Sequence, residues 1–305
     1  MKLTIGTRGS ALARTQATTI ANALAVHGHE AELMIIRTVG DDSTAPSFGS
    51  IGAQGVFVRE IEQALLDRRI DVGVHSCKDL PTSSPEALTI AAVPKRADAA
   101  DVLIASRTVA RFDGGSIPLA AGAVIGTASA RRQSWVRHLR PDLEIRPIRG
   151  NVPTRIRKLS EGYGAILLAA AGLERLAATP LEDVPALPLD TYVVTRLDPQ
   201  VFVPAPAQGA LALQCRRDAD AVVDALAMLD DAVSHACVAG ERALLARIEG
   251  GCDLALGAYC VAEGDGAGYA FIAMVERDGQ LPTEIARGAA PTALADQIWE
   301  AFARR

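Results

Sequence analysis

The stretch KLTIGTRGSALARTQATTIANAL (residues 2–24) decides the fold. Lys2 to Ile5 reads as a short strand, and Arg8-Gly9-Ser10 as the turn that ends it. Ala13, Ala17, Ile20 and Leu24 then fall at i, i+4, i+7 and i+11, one apolar stripe of a helix. Ser10 stands where an N-cap belongs. The same order recurs downstream. AELMIIRTV (31–39) is a strand and Val56 to Arg69 a helix with Val58, Ile61 and Leu65 inward. DVGVHSC (71–77) and LTIAAVP (88–94) are further strands. Strands alternating with helices predict a parallel sheet with crossover helices.

KRADAAD (95–101) reads as a connection between domains. A second α/β series begins at Ala123 to Thr127. It continues through a helix (129–140), a strand (143–148), a helix (153–161) and the strand AILLAA (165–170). Asp41 to Gly55 is a polar loop, long enough to act as a lid. PAPAQGALALQCR (204–216) is a loop and a returning strand, the pattern of a two-lobed protein whose chain crosses its hinge twice and whose ligand lies between the lobes. Ala219 to Ile248 is helical. Turn-separated strands over 254–280 and a last helix at 291–303 predict a small α+β domain. The expected division is 1–95 plus 196–215, 100–193, and 218–305.

The bulk properties narrow the class. A chain of 305 residues, 49% hydrophobic and 22% charged, holds two or three globular domains. No apolar run reaches the ~18 residues of a bilayer span. The start, MKLTIGTRGSALA, has no long apolar region of a secretory signal. Cys77, Cys215, Cys237, Cys252 and Cys260 are an odd set without C-x-x-C or zinc spacing. Reduced thiols in the cytoplasm are expected, and no metal.

Arginine is the anomaly. The formal net charge is −5, yet IRPIRGNVPTRIRK (145–158) carries five basic residues and no acid, and SARRQSWVRHLR (129–140) adds four arginines. These fall at strand-to-helix junctions: Ser129, Arg131 and Arg132 at one, Arg149, Gly150, Asn151 and Arg155 at another. Arg8, Gly9 and Ser10 make the first. Taken singly, Ser10 and Ser129 read as plain N-caps and the arginines as a solvated helix face. Together they predict an anion site, because ligands of α/β sheets bind beyond the strands' carboxyl ends, where helix N-termini present free N–H groups. Nucleic acid would use such a patch, but aromatics are only 4% and the overall charge has the wrong sign. No Walker loop or G-x-G-x-x-G suggests a nucleotide. Carboxylates suit arginine forks.

Two stretches carry candidate chemistry, each with two readings. In VHSCKDLPT (74–82), Lys78 and Asp79 are either a plain salt bridge or an anion binder beside a proton-transferring carboxylate. His75 is either a base or a hydrogen-bonded core residue. In IEGGCDLALG (248–257), Cys252 is either a structural thiol or one presented for covalent modification.

These segments, taken in order, resemble the porphobilinogen deaminase family, also called hydroxymethylbilane synthases. The resemblance runs through TRGSALA (7–13), GVFVREIE (55–62), HSCKDLPT (75–82), GTASARRQ (126–133), RGNVPTR (149–155), LAAAGLERL (168–176), PAPAQGALALQCR (204–216), ERALL (241–245) and EGGCDLALGAY (249–259). It implies two lobes like those of periplasmic binding proteins plus a small α+β C-terminal domain. It implies a cytoplasmic, monomeric transferase of haem biosynthesis that acts on the small molecule porphobilinogen, with no nucleic-acid or membrane partner. By resemblance, Cys252 carries a dipyrromethane cofactor through a thioether, and Asp79 is catalytic. It assists loss of ammonia from porphobilinogen and stabilises positive charge on the pyrrole nitrogens. Lys78, Ser129, Arg131, Arg132 and Arg155 fall on cofactor-binding positions; Arg8, Ser10, Arg149 and Arg175 fall on substrate-binding ones. The family's product is a polycarboxylate, which would account for the arginines. Four positions depart from the family pattern: Gln54 and Arg59 replace lysines, Ala128 a serine and Ala207 a glycine. The other reading is a non-enzymatic, two-lobed cytosolic binding protein for a small organic anion, which gives no purpose to the EGGC turn or the third domain.

Overall fold

A computed structural model describes residues 1–36, 50–112, 114–178, 186–248, 255–264 and 268–304; of residues 50–57 it describes the backbone only. Two compact units are drawn from these residues. One comes from Met1–Ala97 and Gly209–Ala236, the other from Asp98–Ala177, Pro185–Gln208 and Cys237–Arg305.

The first unit holds a five-stranded sheet: β1 (Lys2–Thr7), β2 (Glu30–Ile35), β3 (Val72–Ser76), β4 (Leu88–Ala92) and β10 (Leu211–Arg216), in the order β2-β1-β3-β10-β4. Helix α1 (Ala11–Val26) crosses from β1 to β2, and α2 (Ser50–Leu66) precedes β3. The stripe read from sequence is the buried one: Ala17, Ile20 and Leu24 pack on Leu3, Ile5, Val72 and Leu213. Helix α6 (Asp220–Ala227) adds Val222, Ala225 and Leu226 to this core.

The second unit holds β5 (Asp101–Ser106), β6 (Val124–Gly126), β7 (Glu144–Arg146), β8 (Ala165–Ala169) and β9 (Tyr192–Arg196), in the order β7-β6-β8-β5-β9. Helices α3 (Ala130–Leu139), α4 (Val152–Arg157) and α5 (Ala170–Ala178) follow β6, β7 and β8. The unit also carries an antiparallel sheet of β11 (Leu256–Glu263), β12 (Gly268–Val275) and β13 (Thr283–Gly288). One face of that sheet packs on α7 (Ala232–Ile248) and α8 (Pro291–Ala303) through Phe271, Leu244, Ile298 and Phe302.

The two five-stranded sheets have the same plan. Three parallel strands are followed by an antiparallel one, β10 in the first sheet and β5 in the second, and then by an edge strand. The parallel arrangement expected from alternation holds for three strands of each sheet, and the other two strands of each make it mixed. The reversed strands β5 and β10 pair with strands far from them in the sequence, a non-local choice that periodicity does not carry. The predicted loop over 41–55 also needs correction. Residues 50–55 begin α2, while 41–49 lie outside the described residues.

Candidate active site

In each sheet the chain turns to one side after the first parallel strand and to the other side later. The crevice beyond the carboxyl ends at that reversal is where such sheets take ligands. In the first unit it falls between β1 and β3. A cavity of about 320 Å³ opens there, lined by Arg8, Ser10, Gln16, His75, Ser76 and Asp79 over Val58 and Ile61. Ser10 caps α1, its hydroxyl accepting from Ala13 N at 3.3 Å. The remaining free N–H groups of α1 leave a positive helix end beside Arg8.

Lys78 and Asp79 form a single 3-10 turn, Cys77–Asp79, at the end of β3. Asp79 is exposed and Lys78 partly so, whereas Cys77 is buried. His75, in β3 itself, is buried. Its Nε2 donates to the Gln214 oxygen at 3.1 Å, and Gln214 Nε2 donates to Glu62 at 2.9 Å. Burial pushes the imidazole down to about 4, against the opposing effect of the Gln214 bond. His75 is thus a neutral, hydrogen-bonded residue at neutral pH. Gln16 donates to Ser76 Oγ at 2.9 Å, fixing two polar groups on the cavity wall.

In the second unit the equivalent crevice falls between β6 and β8. Ser129 caps α3, accepting from Arg132 N at 3.5 Å. Arg131 and Arg132 do not lie open on the helix surface. They are 5% and 7% exposed and close on Asp101, which is fully buried. Arg131 Nη1 lies 2.8 Å from Asp101 Oδ2, and Arg132 Nε and Nη2 donate to Oδ1 at 3.0 and 2.6 Å. Arg131 Nε is buried and has no acceptor among the described residues.

Arg155 joins this group. Burial, and then repulsion from Arg132, lower its pKa. Its Nε donates to the Gly150 carbonyl at 2.7 Å, and Asn151 caps α4 by accepting from Thr154 N at 2.9 Å. Gly150 sits at φ +117°, and a Cβ there would meet Thr154 Cγ2 at 2.8 Å, so the turn requires glycine. Arg149 is exposed next to it. Arg175, on α5 after β8, is pushed down to about 10 by burial, with Glu174 opposing, and stays charged at neutral pH. Cys252 and the turn expected around it lie outside the described residues; α7 ends at Ile248.

The two ligand edges match a known profile. The one described as "Porphobilinogen deaminase, dipyromethane cofactor binding domain" covers residues 3–224, which include both. The chain belongs to the porphobilinogen deaminase family. The porphobilinogen deaminase of Mycobacterium marinum is 45% identical over 255 residues, 83% of this chain and 76% of that one. That of Mycolicibacterium gilvum is 42% identical over 290 residues, 94% of this chain and 85% of its own. Among solved structures, a Salmonella typhimurium periplasmic binding protein with high arginine specificity is similar at TM-score 0.40 and 12% identity, covering 77% of this chain and 93% of that one.

The departures from the porphobilinogen deaminase pattern gain a physical meaning at Ala207. Its φ is +59°, a left-handed conformation that costs an L-residue about 1–2 kcal/mol and that glycine adopts freely. Ala128 and Arg59 are exposed, and the side chain of Gln54 lies outside the described residues.

Reading the sequence missed Gln16 and Ser76 on the cavity wall, and Asp101 and Gln208 under the arginines. Asp101 had one signal: an acid opening the apolar run DVLIAS (101–106) must be paired if that run is a buried strand.

Proposed function

We propose that this chain is a hydroxymethylbilane synthase that condenses four porphobilinogen molecules, with loss of ammonia, onto a covalent dipyrromethane primer and releases the linear tetrapyrrole 1-hydroxymethylbilane by hydrolysis. The profile match over residues 3–224 carries this reading. The chemistry of the ligand edges agrees with it, since each sets arginine and a capped helix start where a carboxylate would bind.

The donor set fits the primer. Arg131 and Arg132 bring two positive charges against the one carboxylate of Asp101, and Arg131 Nε has no acceptor among the described residues. An acid-bearing pyrrole would supply both the missing charge and the acceptor. Lys78, Ser129, Arg131, Arg132 and Arg155 are the proposed holders of the primer's carboxylates, and Cys252 its thioether anchor. When bound, the primer supplies a nucleophilic pyrrole carbon. Arg8, Ser10, Arg149 and Arg175 take the carboxylates of the incoming substrate and the lengthening product. Asp79, exposed at the edge of β3, faces the positive charge that develops on a pyrrole nitrogen and moves the proton that accompanies departing ammonia.

Three domains, 1–95 plus 196–215, 100–193 and 218–305, working as a cytoplasmic monomer without nucleic-acid or membrane partners, complete the proposal. Among the described residues no helix is long and apolar enough to cross a membrane. Incubation with porphobilinogen tests the reaction. The expected result is one linear tetrapyrrole and four ammonia for every four substrate molecules consumed. Tight binding of porphobilinogen with no consumption would establish the anion-binding protein instead.

A further inference from the structure

Asp101 belongs to none of the expected site positions, yet its surroundings are built as those of a working residue. It opens β5 and pairs in register with Ala169, the last residue of β8, so it lies at the ligand edge of the second sheet. It is 0% exposed. Arg131 and Arg132 are consecutive on α3, and consecutive helix positions diverge by roughly 100°. Their guanidinium groups nevertheless converge on this one carboxylate.

Each group has a second anchor. Arg131 Nη1 donates to the Val203 carbonyl at 2.8 Å, and its guanidinium carbon stands 5.8 Å from the centre of the Phe202 ring. Arg132 Nη1 donates to the Leu167 carbonyl at 2.9 Å. Asp101 is itself held: Gln208 Nε2 donates to Oδ1 at 3.1 Å and to the Ala99 carbonyl at 2.8 Å. Burial alone would raise the carboxyl's pKa, but the paired charges of Arg131 and Arg132 hold it well below the usual carboxylate range. The cluster keeps one positive charge in excess.

We propose that Asp101 is a positioning residue for the primer: it draws two mutually repelling guanidinium groups into one fixed orientation and leaves one net charge for a ligand carboxylate. The proposal rests on the reading above, in which Arg131 and Arg132 hold the primer. Like charges so close in a buried setting would otherwise separate. Simple attraction and positioning differ in sign. Removing the carboxylate charge makes the cluster more positive, which would draw an acidic pyrrole more strongly if charge alone mattered. If orientation matters, loading falls.

The test compares intact masses of purified wild type and Asp101→Asn, alongside melting curves that identify the folded fraction. The expected result is wild type carrying one dipyrromethane throughout and folded Asp101→Asn losing most of that added mass, with Asp101→Glu recovering part of it. Folded Asp101→Asn loaded as fully as wild type would overturn the proposal and leave the reaction standing. Unmodified wild type would sink the reading and this inference together. Should Asp101→Asn not accumulate folded, Gln208→Met carries the test. It leaves all three charges in place and loosens the carboxylate, so partial loss of primer is expected, and loading equal to wild type would overturn the proposal.

Discussion

Glu241 offers the sharpest test of how the helix leading to Cys252 is held. It lies on α7 and is 0% exposed. Oε2 accepts from Ala207 N at 2.6 Å, and Oε1 accepts from Cys260 N at 2.7 Å. One side chain thus joins three segments: α7, the turn before β10, and β11. In Glu241→Gln the amide has one oxygen, and its NH2 must face the other backbone N–H. One buried donor is left unsatisfied and opposed by a second, a loss of about 2–3 kcal/mol. With a urea slope near ~3 kcal/mol per M, the unfolding midpoint should fall by about 0.7–1 M. Glu241→Ala strands both donors and opens a cavity, so it should fall further. The assay is urea unfolding followed by circular dichroism. A Gln variant within about 0.2 M of wild type, or an Ala variant no worse than the Gln one, would show that these bonds do not hold the segments together.

Two further outcomes follow from the first unit. Asp79→Asn should still bind porphobilinogen but turn over at least ~100-fold more slowly, as expected for loss of a group that acts on a developing charge; a rate near wild type would remove Asp79 from the chemistry. The depressed His75 pKa sets a pH dependence of stability. Between about pH 6.5 and 4 the unfolded chain takes up a proton that the folded one refuses, so stability should fall as pH drops through that window, by at most about 3 kcal/mol. His75→Gln should flatten this slope in urea titrations, and an unchanged slope would assign it to other groups.

What could be read from the sequence was local. The stripe over 11–24 and the final helix are found where periodicity placed them, because Leu294, Ile298 and Phe302 repeat on one face of α8. The caps Ser10 and Ser129 are equally local, since each acts on its own first turn. Strands β5, β9 and β13 escaped notice. β5 follows a charged connection, while β9 and β13 are partly exposed edge strands without clean alternation. The shared plan of the two sheets leaves no repeat in the residues, since burial on both faces asks only for apolar side chains. Asp101 was illegible for a non-local reason. Its partners stand at Arg131, Arg132 and Gln208, and only folding brings them to it. The same holds for Ala207: sequence shows that it departs from a glycine pattern, but only its φ shows what the departure costs.

The mass of the purified, intact chain tests the central claim most directly. The account predicts that wild type weighs one dipyrromethane more than its sequence and that Cys252→Ser weighs its sequence alone. An active preparation of wild type at the bare sequence mass would contradict it.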